Sequence, residues 1–170
     1  VWTIERNYVK PYPICRWAHA ALDALSGLMQ SHSFSSDDVT SIEVNAFAEA
    51  AALFAGLPAT TSQAQYSLPF ALAVMLVHGR VGPEDISGAG LSDAKVAKAL
   101  TRVTLHENVR HSKRFPAARW SDIIVTLKDG TCLASGDVQA RGGPEAPMEL
   151  SEIEAKFRMM AAALPEPRTT

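Results

Sequence analysis

The sequence is poor in cysteine, with only Cys15 and Cys132 among its 170 residues. Two thiols allow no more than one disulfide, so the disulfide-stapled scaffold of a small secreted domain is excluded. Two cysteines are also too few to hold an ordinary iron–sulfur cluster by themselves. We therefore expect a protein of the reducing cytoplasm.

An excess of charge of one sign is also missing. The 16 lysines and arginines are scattered along the chain and nearly balanced by 18 acidic residues, which leaves a formal net charge of −2. This balance gives no basic surface for nucleic acid. The longest apolar run, around residues 68–77, is half of the roughly 20 residues that a membrane-spanning helix needs. We expect neither a nucleic-acid partner nor a membrane span.

The short motifs of metal and nucleotide chemistry are absent from the sequence. It has no HExxH, CxxC, GxGxxG or phosphate-binding loop, and no GxSxG nucleophile elbow. His106 and His111 have no carboxylate or cysteine at metal-ligand spacing, and His78 beside Gly79 is typical of a helix end. The sequence therefore predicts no metal site.

The residues that are present indicate a globular domain, since 47% are apolar and 20% are charged. β-Branched and alternating stretches predict five strands, at about 1–9, 39–47, 101–107, 120–128 and 131–139. Apolar periodicity and alanine content predict helices at about 17–30, 48–56 and 62–78. One or two short helices are expected in residues 82–100, one of them at 93–100, and a final helix is expected from 151 onward. Pro69 predicts that the third of these helices is either kinked or restarts near Ser67.

These elements predict an α+β fold, with one small antiparallel sheet of about four strands covered on one side by helices. Asp129-Gly130 is a strong signal for a tight turn between the last two strands. Ser62, Ser92 and Ser151 are the predicted helix caps. We expect a single domain over residues 1–164, followed by a flexible tail at 165–170.

Chemistry is concentrated in "VKPYPICRWAHAALDAL", residues 9–25. Lys10 and Arg16 lie where a helix begins, and the free N–H groups there favour an anion such as a carboxylate or phosphate. His19 and Asp23, four residues apart and away from the Trp17 stripe, form either an acid–base pair or an exposed pair that only supports the helix. The residue types alone favour the exposed pair.

A second polar cluster is "PATTSQAQYSLPFALA", residues 58–73. Tyr66 and Ser67 stand where a proline disturbs a helix start, so their hydroxyls either contact a ligand or cap and pack the helix. Capping is favoured by the residue types. Cys15, in the first cluster, is by type more often a small buried hydrophobe than a nucleophile.

Four stretches, in order and spread over nearly the whole chain, resemble the MmgE/PrpD family. They are the Lys-x-[Phe/Tyr]-Pro…His…Asp-Ala segment in "VKPYPICRWAHAALDAL", the Ala-Gln-[Phe/Tyr]-Ser-[Leu/Ile]-Pro-[Phe/Tyr] stretch in "AQYSLPF", the hairpin "VTLKDGT", and "GGPEAPMELSEIEAKFRMMA". The family includes 2-methylcitrate dehydratase, cis-aconitate decarboxylase and iminodisuccinate epimerase.

The resemblance implies a C-terminal α+β lid domain that follows a helical domain, in an enzyme that is typically a homodimer and needs no metal or cofactor. Such enzymes remove a proton α to a carboxylate of a small di- or tricarboxylate, and then eliminate, decarboxylate or reprotonate. Lys10 matches the family's active-site lysine, and His19 matches a motif histidine that acts as a carboxylate ligand or proton relay. Arg16 would be a further anion contact, Cys15 would tune substrate choice, and Tyr66 and Ser67 would support the site.

Two departures bear on the substrate. "ICRWAH" differs from the dehydratase branch, and "AGLP" before the second cluster lacks the Arg or Lys that many members carry there. We expect the isolated domain to be inactive, because the family's principal base belongs to the helical domain. A domain that only senses a small molecule or supports assembly is the alternative, since fold alone does not determine function.

Overall fold

The structure is a computed structural model, and it describes residues 2–3 and 7–161. The chain divides into two compact units, one formed by Tyr12–Ala140 and the other by Val1–Pro11 with Arg141–Thr170. The predicted tail at 165–170 lies outside the described residues. The described part of the predicted first strand, residues 2–3 and 7–9, forms no strand. There the backbone N–H of Val9 donates a hydrogen bond to the carbonyl of Gly142 at 2.9 Å.

The Tyr12–Ala140 unit contains six α-helices and the sheet within its described residues. The helices are α1 (His19–Ser31), α2 (Ala48–Ala51), α3 (Thr61–Gln65), α4 (Leu68–His78), α5 (Ala94–Leu100) and α6 (Val109–Ser112). The strands are β1 (Val39–Ala46), β2 (Val103–Glu107), β3 (Trp120–Leu127), β4 (Cys132–Ala134) and β5 (Val138–Gln139). Short 3-10 turns, Arg16–Ala18 and Gly88–Ser92, precede α1 and α5.

The α+β class is confirmed, but the sheet is mixed rather than wholly antiparallel. Its strand order is β2-β1-β3-β4, with β5 also paired to β3. β1 and β3 run antiparallel, whereas β1 and β2 run parallel, with Ile42 opposite Val103. The parallel pair follows from the long connection between β1 and β2, since a crossover through helices returns the chain in the same direction.

One face of the sheet is buried against helices, and the other is more open. Along β1 the buried residues alternate, with Ile42 and Val44 fully buried and Glu43 between them exposed. α1 packs against β3 and α4, and α4 packs against α5. α4 is apolar around its whole circumference, so it lies inside the core.

The helix starts agree with the predictions in one case and differ in three. The last helix begins at Leu150, so Ser151 lies inside it and is not its cap. Ser67 caps α4 and Pro69 lies in its first turn, which confirms the predicted restart. Thr60, not Ser62, caps α3, and Asp93, not Ser92, caps α5. Thr60 and Asp93, which lie two residues and one residue from the predicted caps, have the extended backbone that a cap requires.

The second unit contains α7 (Leu150–Ala161). Gly142 has a φ of +97°, and an added Cβ there would lie 2.0 Å from the carbonyl oxygen of Val9. Only glycine fits this approach, so the Gly-Gly-Pro stretch holds the chain just before Lys10. No helix among the described residues is long and apolar enough to cross a membrane.

Candidate functional site

The six residues predicted for the site fall into both units. Lys10 belongs to the unit that contains α7, and its side chain is exposed. Within that unit the ammonium group of Lys156 donates a hydrogen bond to the backbone carbonyl of Lys10. Cys15, Arg16, His19, Tyr66 and Ser67 belong to the Tyr12–Ala140 unit.

The chain enters α1 through an extended segment and a 3-10 turn. Cys15 has φ −58° and ψ 132°, the extended geometry expected next to prolines, and the turn Arg16–Ala18 follows. Cys15 is partly buried and its thiol is free. This path turns Tyr12 and Ile14 back over the first turn of α1.

His19 is fully buried, which corrects the prediction of an exposed His–Asp pair. Its Nε2 lies 3.3 Å from the carbonyl oxygen of Ile14. A carbonyl only accepts, so this contact places a proton on Nε2. The physical reason for the burial is the preceding segment, which covers the helix face that periodicity alone leaves open to water.

Tyr12 is a site residue that the sequence prediction missed. Its ring meets the His19 ring edge to face, with centroids 5.2 Å apart and an interplanar angle of 82°. Its hydroxyl donates a hydrogen bond to Oδ1 of Asp23 at 2.9 Å. Tyr12 therefore contacts both members of the predicted pair. A tyrosine between two prolines, just before a helix that carries His and Asp, was the available signal.

The second cluster lies beside the first. The backbone N–H of Cys15 donates to the carbonyl of Gln65 at 2.8 Å, and that of Phe54 donates to the carbonyl of Tyr66 at 3.1 Å. The Tyr66 residue is 55% exposed, whereas Ser67 is buried and its Oγ accepts a hydrogen bond from the N–H of Phe70. Ser67 thus acts as a helix cap, and Tyr66 is left open for contacts at the surface.

A third cluster was not predicted. His111 is fully buried, and its Nε2 lies 2.6 Å from Oδ1 of Asp122 on β3. Asp122 also accepts hydrogen bonds from Asn45 on β1 at 2.8 Å and from Arg110 at 3.0 Å. The sequence showed no carboxylate at metal-ligand spacing from His111. The carboxylate that contacts His111 is Asp122 of β3, and the register of β1 and β3 places Asp122 opposite Asn45.

Ligand atoms of His111, Asp122 and Asp137 lie within 4.8 Å of one another, as a metal site requires. Two guanidinium groups already neutralise these carboxylates. Arg110 lies 2.7 Å from Asp137 and Arg114 lies 2.7 Å from its other oxygen. The hydrogen bond from Arg114 and the two nearby arginines lower the pKa of Asp137. A cation here would have to displace both arginines, so the donor set fits an ion-pair network better than a metal centre.

His78, which the sequence analysis treats only as a helix end, is an exposed residue that links two acidic side chains. Its Nδ1 lies 2.8 Å from Asp85, and its Nε2 lies 3.1 Å from Asp93. The backbone N–H groups of Lys95 and Val96 are the main cause of a lowered pKa at Asp93, and His78 adds to it. The end of α4 is therefore tied to the start of α5.

The fold of the Tyr12–Ala140 unit defines a class: an α+β domain with a mixed sheet, in which a buried imidazole lies at the start of the first long helix. A comparison with protein families identifies which one. The family model of the MmgE/PrpD C-terminal domain matches residues 12–169 of the sequence, so the chain belongs to the MmgE/PrpD family. No curated protein sequence matches the chain significantly.

Proposed function

We propose that this chain is the lid-domain part of a lyase or isomerase that acts on a small di- or tricarboxylate without a metal or cofactor. The observation that carries the proposal is the family match, which covers the second cluster and the part of the first cluster from Tyr12 onward. Lys10 lies just before the matched residues, and its role follows from the motif resemblance. The reaction would begin with removal of a proton α to a carboxylate. Dehydration, decarboxylation and epimerisation all share this first step.

In this proposal Lys10 contacts the substrate. Its ammonium group binds a carboxylate and stabilises the negative charge that develops as the α-proton leaves, the kind of electrostatic contribution that usually dominates catalysis. Arg16 is a second anion contact, since a guanidinium group holds a carboxylate through two parallel hydrogen bonds. Cys15 and the exposed Tyr66 line the substrate region in this proposal, and Ser67 supports it through its cap.

His19 is proposed as a positioning residue in the same site. It is fully buried and its Nε2–H is directed to the Ile14 carbonyl, so it orients the segment that carries Arg16. The family resemblance implies carboxylate binding or proton relay at this position. Burial and the hydrogen bond to a neutral carbonyl support positioning instead.

The proposed partner is an N-terminal helical domain of the same protein, which would supply the principal base. The exposed apolar side chains of α7 support such a partner. They are Leu150 at 70%, Phe157 at 72%, Met159 at 45% and Met160 at 51% exposure. Burying such a face stabilises an interface by roughly 25 cal/mol per Å² of apolar area. A homodimer and a cytoplasmic location belong to the same proposal.

The experiment is α-proton exchange in deuterated water, followed by NMR on the intact protein with a panel of small polycarboxylates. We expect one or more compounds to exchange, and Lys10→Ala to slow that exchange by about 100-fold or more. Lys113→Ala, a matched change at an exposed lysine of the other unit, should leave the rate unchanged. Exchange that survives Lys10→Ala unchanged would instead support a domain used for sensing or assembly.

A further inference from the structure

A cavity of about 240 Å³ lies in the Tyr12–Ala140 unit, away from the first two clusters in sequence. It is lined by Ser36, Asp37, Lys95, Lys98, Ala99 and Arg102. Ser36 and Asp37 precede β1, and Arg102 precedes β2. Because these strands are parallel, both segments lie at the same end of the sheet, where the two strands begin.

The cations of this cavity are not neutralised. Within residues 2–3 and 7–161, the side chains of Lys95, Lys98 and Arg102 form no ion pair, and Asp37 is the one acidic residue in the lining. By contrast, Arg80 and Arg110 are each paired with two carboxylates. Lys95 and Lys98 are three residues apart on α5, so their ammonium groups repel each other unless an anion lies between them.

Arg102 is held in place through one side of its guanidinium group. Its Nη1 donates to the carbonyl of Ser36 at 2.7 Å and to that of Val39 at 3.0 Å. Carbonyls satisfy these N–H groups without cancelling the positive charge. Nε and Nη2 make no hydrogen bond within the described part of the chain. These two nitrogens form the edge that holds a phosphate or carboxylate through two parallel bonds.

We propose that this cavity binds a small, multiply charged phosphate-type anion, with Arg102 as the fixed anchor and the two lysines closing over the charge. The cavity volume lies below the roughly 300–1,000 Å³ typical of pockets for drug-sized ligands, so the ligand is of the size of a phosphate or diphosphate group. The site is separate from the proposed polycarboxylate site and does not depend on it.

The test is titration calorimetry of the intact protein with inorganic phosphate, diphosphate and citrate, at a fixed ionic strength of about 0.15 M. We expect saturable binding at one site, with diphosphate bound more tightly than phosphate. Citrate that binds more tightly than diphosphate, and that Lys95→Gln combined with Lys98→Gln weakens, would overturn the assignment to phosphate chemistry. An absence of saturable binding of either phosphate compound would overturn the proposal itself.

Variants locate the site without disturbing Arg102, whose carbonyl contacts support the fold. Lys95→Gln combined with Lys98→Gln should weaken diphosphate binding at least about tenfold, because two charge-assisted hydrogen bonds are lost. Asp37→Asn should tighten diphosphate binding about twofold, because the one acidic residue of the lining loses its charge.

Lys113→Gln is the matched control at an exposed lysine that does not line the cavity. Equal weakening by this control would show a diffuse charge effect and overturn the proposal. Because the readout is binding, failure here is distinct from failure of the proton-exchange experiment.

Discussion

His19 and His111 are both fully buried, but their rings contact different chemical groups. The Nε2 of His19 points to a neutral carbonyl, and a tyrosine ring packs against its edge. The Nε2 of His111 points to a carboxylate that two further donors share. The first arrangement orients a chain segment, whereas the second joins α6 to the sheet through a hydrogen bond to a carboxylate. Burial of a histidine by itself therefore does not indicate which role it has.

The largest effect is expected at Asp122. Asp122→Ala leaves the buried Nε2–H of His111 without its acceptor and also removes the acceptor of Asn45. We expect the free energy of unfolding to fall by about 2–4 kcal/mol, measured by urea denaturation. Asp37→Ala, at an exposed acidic residue, should change it by less than about 0.5 kcal/mol. Equal small effects for both variants would mean that the hydrogen bonds to Asp122 contribute little to stability.

A smaller effect is expected at the cap that links the second cluster to α4. Ser67→Ala removes the acceptor for the N–H of Phe70, and we expect a loss of about 1 kcal/mol in the free energy of unfolding. Ser62→Ala is the matched control, because Thr60 caps α3 and Ser62 is exposed. If Ser62→Ala costs as much as Ser67→Ala, the assignment of the caps is wrong.

The smallest effect is the pH dependence of the His111 network. The pKa of Asp137 is lowered in the folded state, chiefly by the hydrogen bond from Arg114. A lowered carboxyl pKa contributes stability that is present above the unfolded value of about 4 and is lost as the pH falls through the folded value. Stability should therefore decline more steeply below about pH 4 in the wild type than in Asp137→Asn, measured as urea midpoints from pH 6 to pH 3. Parallel curves for the two proteins would contradict this role of Asp137.

Features of the fold that depend on contacts between residues close together in sequence were predictable, whereas features that depend on distant residues were not. The restart of α4 at Ser67 was predictable, because Pro69 and the serine cap act within one helical turn. The strand β1 was predictable from its β-branched alternation. The parallel pairing of β1 with β2 was not, because it is set by packing of the helices that connect them.

The candidate site also depends on contacts between residues that are distant in sequence, and these were not predictable. The nearness of the two family motifs in the fold rests on a backbone contact between Cys15 and Gln65, fifty residues apart, which no local pattern encodes. The burial of His19 was missed because helical periodicity takes no account of the segment that folds over it. The carboxylate partner of His111 depends on the register of β1 and β3, which places Asn45 opposite Asp122.

The most direct measurement is the turnover of His19→Gln and His19→Ala in the intact protein, side by side, with kcat and KM determined across pH. A glutamine amide carries an N–H that can donate to the Ile14 carbonyl but does not relay protons near neutral pH. If His19 positions the anion-binding segment, glutamine should keep kcat/KM within about fivefold of the wild type, while alanine loses about 100-fold. An equal, large loss of kcat in both variants, with the wild-type pH profile abolished, would contradict the positioning role.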